Sequence, residues 1–233
     1  MKAAKAKHED LFKELIEKSV MKQEVYTATL ESFKVFNDVA NQIVNEYNSL
    51  SGKDELQAII PLEVEQRSDF EFSLKFGGDI LIFMMHSNVF EIPRDHNVMR
   101  SNYIKDDPSR SYCGIIHVYN FLSDSFKYNR VNDLGYLIGR IFVNREKHYF
   151  IDGKSELGFH YNNFRRHKIE TKNVNQIIES AIRYTLQFDL LIPPYEQVTL
   201  LTVDEMKNTI NTMALKTGKR LGFKFFSDQN MED

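Results

Sequence analysis

The first 51 residues contain neither glycine nor proline, and apolar side chains recur through them at helical spacing. A 4-3 alternation running from Phe12 to Tyr47 is apolar or aromatic at most of its positions. The polar residues Ser19 and Gln23 interrupt this stripe. The pattern predicts one long helix, or two helices stacked end to end, that ends at Ser51-Gly52.

The length of this helix has a consequence for assembly. A helix of about 45 residues spans about 65 Å, which exceeds the width of a domain of this size. We therefore expect residues 25–50 to pack on the chain's own sheet and the stretch before residue 24 to bind a partner. The expected assembly is a homodimer through the N-terminal helix, because closed two-fold symmetry is the commonest. A different protein partner is the alternative.

Residues 57–160 change to the two-residue period that is typical of strands. Phe70, Phe72, Leu74 and Phe76 alternate with polar residues, which indicates a strand with one buried face. Short turns between successive runs predict a mostly antiparallel meander. The predicted strands after this one are Ile80–Met85, Val89–Ile92, Tyr112–Leu122, Leu134–Asn144, His148–Ile151 and Leu157–His160.

The last third of the chain returns to a helical pattern. Asn173-Val-Asn-Gln176 resembles a capping box that opens an apolar helix, and Thr202-Val-Asp-Glu205 resembles a second one. The second helix is expected to stop at Gly218, and Leu221–Phe226 is a candidate closing strand.

Together these elements predict an α+β fold. A long N-terminal helix precedes a central, mostly antiparallel sheet of about six to eight strands, on which C-terminal helices pack. We expect an N-terminal helical arm over residues 1–52, an α+β domain over 53–226 and a disordered tail over 227–233.

Composition narrows the class of protein. With 42% hydrophobic residues, 18 Phe and 11 Tyr, the chain can bury a sizeable core, so wholesale disorder is excluded. The net charge of −3 argues against a surface tuned as a whole for nucleic acid or anionic membrane. Cys113 is the single cysteine, which excludes an intramolecular disulfide. We expect a soluble cytoplasmic protein, since there is no secretory signal and no apolar run long enough to span a bilayer.

The long polar connection over residues 93–111 is the best single location for a small ligand. Polar loops of this length on a rigid sheet often carry binding function. Arg140, in the strand 136–144, needs a partner if its face of the strand is buried, and that partner is either a ligand in a pocket or an acid in a structural ion pair. The ligand-binding candidates are therefore Asp95, His96, Arg100 and Arg140, and whether they form an enzyme site stays open.

A basic and aromatic stretch over residues 159–168 suggests another function. Arg165, Arg166 and Lys168 are cations suited to phosphate, and neighbouring rings are suited to stacked bases. The acidic overall balance makes nucleic-acid binding the less favoured alternative.

The usual signatures of catalysis and cofactor binding are absent from the sequence, including phosphate-binding loops and the nucleophile elbow. His86, Glu91 and His96 match no metal-ligand spacing, so we predict neither a metal site nor a cofactor. The leading prediction is a non-enzymatic binding protein that self-associates. A ligand-binding protein or enzyme and a nucleic-acid-binding protein are the alternatives.

Overall fold

The computed structural model describes residues 2–50, 60–154, 157–158, 163–187, 190–191, 195, 199–200, 202–204, 206 and 218–219. These residues form a long N-terminal helix, a seven-stranded antiparallel sheet and a C-terminal helix, which confirms the predicted α+β class. The predicted closing strand 221–226 and the tail 227–233 lie outside the described residues.

The helices and strands have the following bounds. The α-helices are α1 (Lys2–Asn48), α2 (Asn102–Asp106), α3 (Ser123–Lys127) and α4 (Thr171–Leu186). The sheet comprises β1 (Glu63–Ser68), β2 (Glu71–Phe76), β3 (Asp79–Met85), β4 (Phe90–Glu91), β5 (Tyr112–Leu122), β6 (Tyr136–Asn144) and β7 (Tyr149–Gly153). The strand order is β1-β2-β3-β5-β6-β7, and β4 pairs with the start of β5. A separate two-stranded ladder joins β8 (Leu190–Leu191) to β9 (Gly218–Lys219).

The helix α1 is continuous over 47 residues, so it spans about 70 Å. Its buried positions begin at Val25 and end at Val44, and they pack with α4 on one face of the sheet. Aromatic rings fix this contact, since the Phe33 ring lies 5.3 Å from Phe72, which stacks on Phe83 at 4.6 Å. The second half of α1 is therefore part of the core.

Small side chains bring α1 close to β5. Ala28, Thr29 and Ser32 are all buried, and Thr29 lies directly over Gly114. The hydroxyls of Thr29 and Ser32 donate to helix carbonyls one turn earlier, at 2.7 and 2.6 Å, so they are satisfied without water. A side chain at position 114 would prevent this approach.

The end of α1 is tied to the chain that enters β1. The Asn48 side-chain amide donates to the Leu62 carbonyl and accepts from the Leu62 amide, both at 3.0 Å. The helix thus ends at Asn48, a few residues before the predicted end at Gly52. Among the residues described, no helix combines the length and hydropathy needed to cross a membrane.

Three local predictions differ from the structure. The strand β1 was not predicted, because its sequence is polar and its residues are mostly exposed at a sheet edge. Leu157 and Gly158, expected in a strand, are helical. The expected capping box at Asn173 is wrong: α4 already begins at Thr171, and the Asn173 amide donates to the Lys168 carbonyl at 2.8 Å.

Candidate functional site

The segment 92–111 covers one end of the sheet face opposite to α1. It is not a plain loop, since it contains α2 and the 3₁₀ turns Asn97–Arg100 and Pro108–Ser111. Its apolar residues form a second cluster with the ends of β5 and β7. The buried members of this cluster are Ile92, Tyr103, Ile104, Cys113, Phe150 and Phe164.

A polar network anchors this segment to the turn between β6 and β7. The Tyr103 hydroxyl donates to Glu146 at 2.6 Å and accepts from the Asn144 amide at 2.9 Å. Arg110 donates to Glu146 at 3.0 Å and stacks on the Tyr103 ring. Burial and the bond to Glu146 raise the pKa of Tyr103 above its ordinary value. Burial raises the pKa of Glu146, but bonds from Tyr103 and Arg110 outweigh burial and leave it lowered.

Removing the Tyr103 hydroxyl is expected to destabilise the fold. Tyr103→Phe leaves the buried Asn144 amide without its acceptor, so we expect unfolding to become easier by about 1–3 kcal/mol. Urea denaturation measures this change. The matched control is Tyr112→Phe, whose hydroxyl bonds the exposed Glu91 and Lys18 and whose loss should cost less than about 0.5 kcal/mol. Equal midpoints for the two variants would contradict the anchoring role of Tyr103.

A cleft of about 1,150 Å³ lies between the anchored segment and the end of β7. Three stretches line it: the turn 96–101, the strand end 150–153 with Gly158, and residues 163–165. They are distant in sequence, and the sheet order brings them together. Residues 167–169 pair with residues 147–149 at the start of β7, where the Tyr149 amide donates to the His167 carbonyl at 3.0 Å. This pairing holds the third stretch in place.

The charges in the cleft wall are unbalanced. Arg100 and Arg165 are exposed, and neither forms an ion pair with any residue in the described ranges. Asp152 is the single acid among the described lining residues, and it is already paired with Arg140, whose Nε lies 3.1 Å away. The described part of the wall therefore carries two guanidinium groups without an ion-pair partner and one acid that is already paired.

Only some of the four predicted ligand residues line the cleft. His96 and Arg100 line the cleft, and Arg140 adjoins it through Asp152. Asp95 is exposed outside the wall, so the structure does not bring all four candidates together. The reason is a tight turn in which the His96 amide donates to the Pro93 carbonyl at 3.0 Å and leaves Asp95 at the outer side.

Arg140 lies in a different setting from the one its strand pattern predicts. A register shift between β5 and β6 at Val118 moves Ile138 to the α1 face, whereas Arg140 is half-buried on the opposite face beside His117. Burial lowers the pKa of His117 below its ordinary value, and the nearby Arg140 and His86 lower it further. Arg140 and His117 therefore lie side by side on the sheet face opposite to α1.

The basic stretch is divided between two surfaces. Arg165 points into the cleft, whereas Arg166 and Lys168 are exposed outside its wall. The aromatic part of the stretch, residues 159–162, lies outside the described residues. Nucleic-acid binding by these three cations stays a prediction.

The other notable surface is the first part of α1. Every side chain from His8 to Val20 is exposed, and five large apolar side chains lie on it at i, i+1, i+4, i+5 and i+9. Each is between 52 and 61% exposed. These five residues, which we call the arm stripe, are Leu11, Phe12, Leu15, Ile16 and Val20.

The arm stripe does not continue the buried face of α1. At 100° per residue, its centre lies about a third of a turn from the face that packs on the sheet. Polar contacts tether the helix where it leaves the body, since Lys18 donates to the Tyr112 hydroxyl and Arg145 pairs with Glu24 at 3.3 Å. These contacts tie the C-terminal end of the stripe to the rest of the chain, and the stripe itself faces away from the contact that α1 makes with the sheet by about a third of a turn.

In the part of the chain that the structure describes, no group of three His, Cys, Asp or Glu residues is placed to hold a metal ion. Comparisons with protein-family models, curated proteins and solved structures find no significant match to this chain. Function must therefore be argued from the cleft and the arm stripe themselves.

Proposed function

We propose that the protein is a binding protein that self-associates, with the arm stripes of two copies forming the contact. The observation that carries the proposal is the arm stripe itself, in which five large apolar side chains are each more than half exposed. Monomeric proteins rarely expose a contiguous apolar patch of this kind without using it.

The size of the stripe supports a second copy as its occupant. From their exposed fractions, the five side chains expose about 500 Å² in one copy, and two copies together would bury about 1,000 Å². That area is about the lower limit for a specific interface between proteins. When the stripes of two copies pair with each other, one contact covers the apolar surface of both copies.

The charges on the arm also permit this pairing. The exposed helix carries charges of both signs, with the acids Glu9, Asp10, Glu14 and Glu17 interspersed with the bases Lys13 and Lys18. Because both signs are interspersed, no field of one sign opposes the approach of a second copy. Two-fold pairing is the simplest closed arrangement for a self-complementary surface.

Sedimentation velocity of the full chain and of a chain that begins at Lys18 tests the proposal. The truncation stops there because residues from Val25 onward belong to the core, whereas the described side chains of residues 8–17 are all exposed. We expect a dimer of the 27.4-kDa chain and a folded monomer of the truncated chain.

Two results would contradict the proposal. If the full and the truncated chain both sediment as monomers, the stripe binds a different protein. If the full and the truncated chain form the same oligomer, the contact lies elsewhere on the molecule. Far-ultraviolet circular dichroism of the truncated chain serves as the folding control.

A further inference from the structure

We infer that the cleft beside the segment 92–111 binds a small molecule that carries two or more negative charges. This inference is independent of self-association, because the cleft and the arm stripe share no residue. The shared chemistry of the ligand is a multiply charged anion, either phosphorylated or polycarboxylate.

Two guanidinium groups give the cleft its preference for anions. Arg100 lies on the 3₁₀ turn Asn97–Arg100 and Arg165 on the lining stretch 163–165, so both border the same space. Neither is neutralised by an acid in the described part of the chain. Guanidinium groups bind phosphate and carboxylate through paired hydrogen bonds, and two of them suit a ligand with two charged groups.

The single acid in the described wall does not oppose such a ligand. Both Nε and an Nη atom of Arg140 bond one oxygen of Asp152, which neutralises its charge. Without that pairing, Asp152 would repel an anion and would attract Arg100 or Arg165. Arg140 therefore acts as a positioning residue that leaves the two cleft arginines available.

Neutral donors complete the wall. The Nδ1 atom of His96 accepts from the Val98 amide at 3.3 Å, so the neutral ring carries its proton on Nε2 as a donor. The Asn163 side-chain oxygen accepts from the Arg166 amide at 3.2 Å, which leaves its NH₂ group as a donor. Both residues line the cleft.

The shape of the cleft favours a small molecule over a chain. Its volume, about 1,150 Å³, is slightly above the range of ordinary ligand pockets, about 300–1,000 Å³. The floor includes the buried rings of Phe150 and Phe164, which expose almost no surface to stacking. Recognition must then come from the polar rim, and the rim offers donors.

Isothermal titration calorimetry at low ionic strength tests the inference with pyrophosphate and citrate as separate probes. Arg100→Gln and Arg165→Gln remove one guanidinium each. The matched controls are Arg94→Gln and Arg166→Gln, since both residues are exposed arginines of the same two segments but lie outside the described wall. A mixed-sequence single-stranded 12-mer is a third probe.

We expect at least one small anion to bind the full chain, and the cleft variants to weaken it about tenfold. The controls should change the dissociation constant less than twofold. Binding of pyrophosphate alone identifies a phosphorylated ligand, and binding of citrate alone identifies a polycarboxylate. Lack of binding of either anion at millimolar concentration overturns the inference. Equal weakening of anion binding by all four variants also overturns the inference. If the 12-mer in addition binds more tightly than the small anions, the arginines form a nucleic-acid surface instead.

Discussion

Replacing Leu15 and Ile16 together by lysine is expected to convert the dimer into a monomer. Both side chains lie at the centre of the arm stripe, and a two-fold contact would bring four new charges into one apolar interface. Burial of unpaired charges is costly, so the dimer dissociation constant should rise by at least about 100-fold. Sedimentation velocity over a range of concentrations measures this change.

The matched control separates the apolar surface from net charge. Asp10→Asn with Glu17→Gln also raises the net charge by two per copy, by removing two negative charges, but on the helix face away from the arm stripe. Lysine and glutamine are good helix formers, and asparagine has about the same helix propensity as the aspartate it replaces, so neither pair of substitutions should disturb α1. A control that dissociates as fully as the stripe variant would show that overall charge, and not the stripe, governs assembly.

The Gly114→Ala substitution is expected to cause a large loss of stability. A Cβ atom at this position would lie 2.2 Å from Oγ1 and 2.7 Å from Cγ2 of Thr29. Thr29 is short and β-branched, and its hydroxyl is bonded to the Val25 carbonyl, so it cannot rotate away. The helix must then move off β5, and we expect a loss of about 2–3 kcal/mol in the free energy of unfolding.

A second glycine of the same sheet face is the control. At Gly139 on β6 the nearest atom to an added Cβ is Cγ2 of Ile151, at 3.6 Å, which is an ordinary contact. Gly139→Ala should therefore change stability by less than about 0.5 kcal/mol. Adding Thr29→Ala to Gly114→Ala should recover part of the loss, in a double-mutant cycle measured by urea denaturation. Equal stability of the two glycine variants would mean that α1 does not lie on β5 at Thr29.

The sequence predicts the centre of the sheet well. The strands β2, β3 and β5 were predicted to within a residue or two, because alternating apolar residues and the Gly77-Gly78 turn determine both their phase and their ends. The edge strand β1 was missed because a solvated edge needs no apolar alternation. The set of α1 residues that pack on the sheet was only partly predicted. Thr29 and Ser32 are buried because Gly114 has no side chain and lets α1 approach β5 closely. Such a contact between distant parts of the chain leaves no local sequence pattern.

The cleft was beyond the reach of sequence patterns for a similar reason. The predicted candidates His96 and Arg100 lie in its wall, but Asp152 and Arg165 join them only through the order of the strands and the pairing along β7. A β-bulge moved Ile138 away from Arg140 and so changed which residues share a face. Local spacing carries no information about these long-range arrangements.

Hydrogen exchange of the backbone amides from residue 8 to residue 17 is the most direct test of self-association through the arm. An unpartnered helical overhang of this length frays and exchanges rapidly, whereas a paired one is protected. We predict strong protection in the wild-type chain at 100 µM, about the concentration such measurements use, and its loss in the variant with lysine at Leu15 and Ile16. Equally rapid exchange in the two proteins would contradict the account, because the arm stripe would then have no partner copy to cover it.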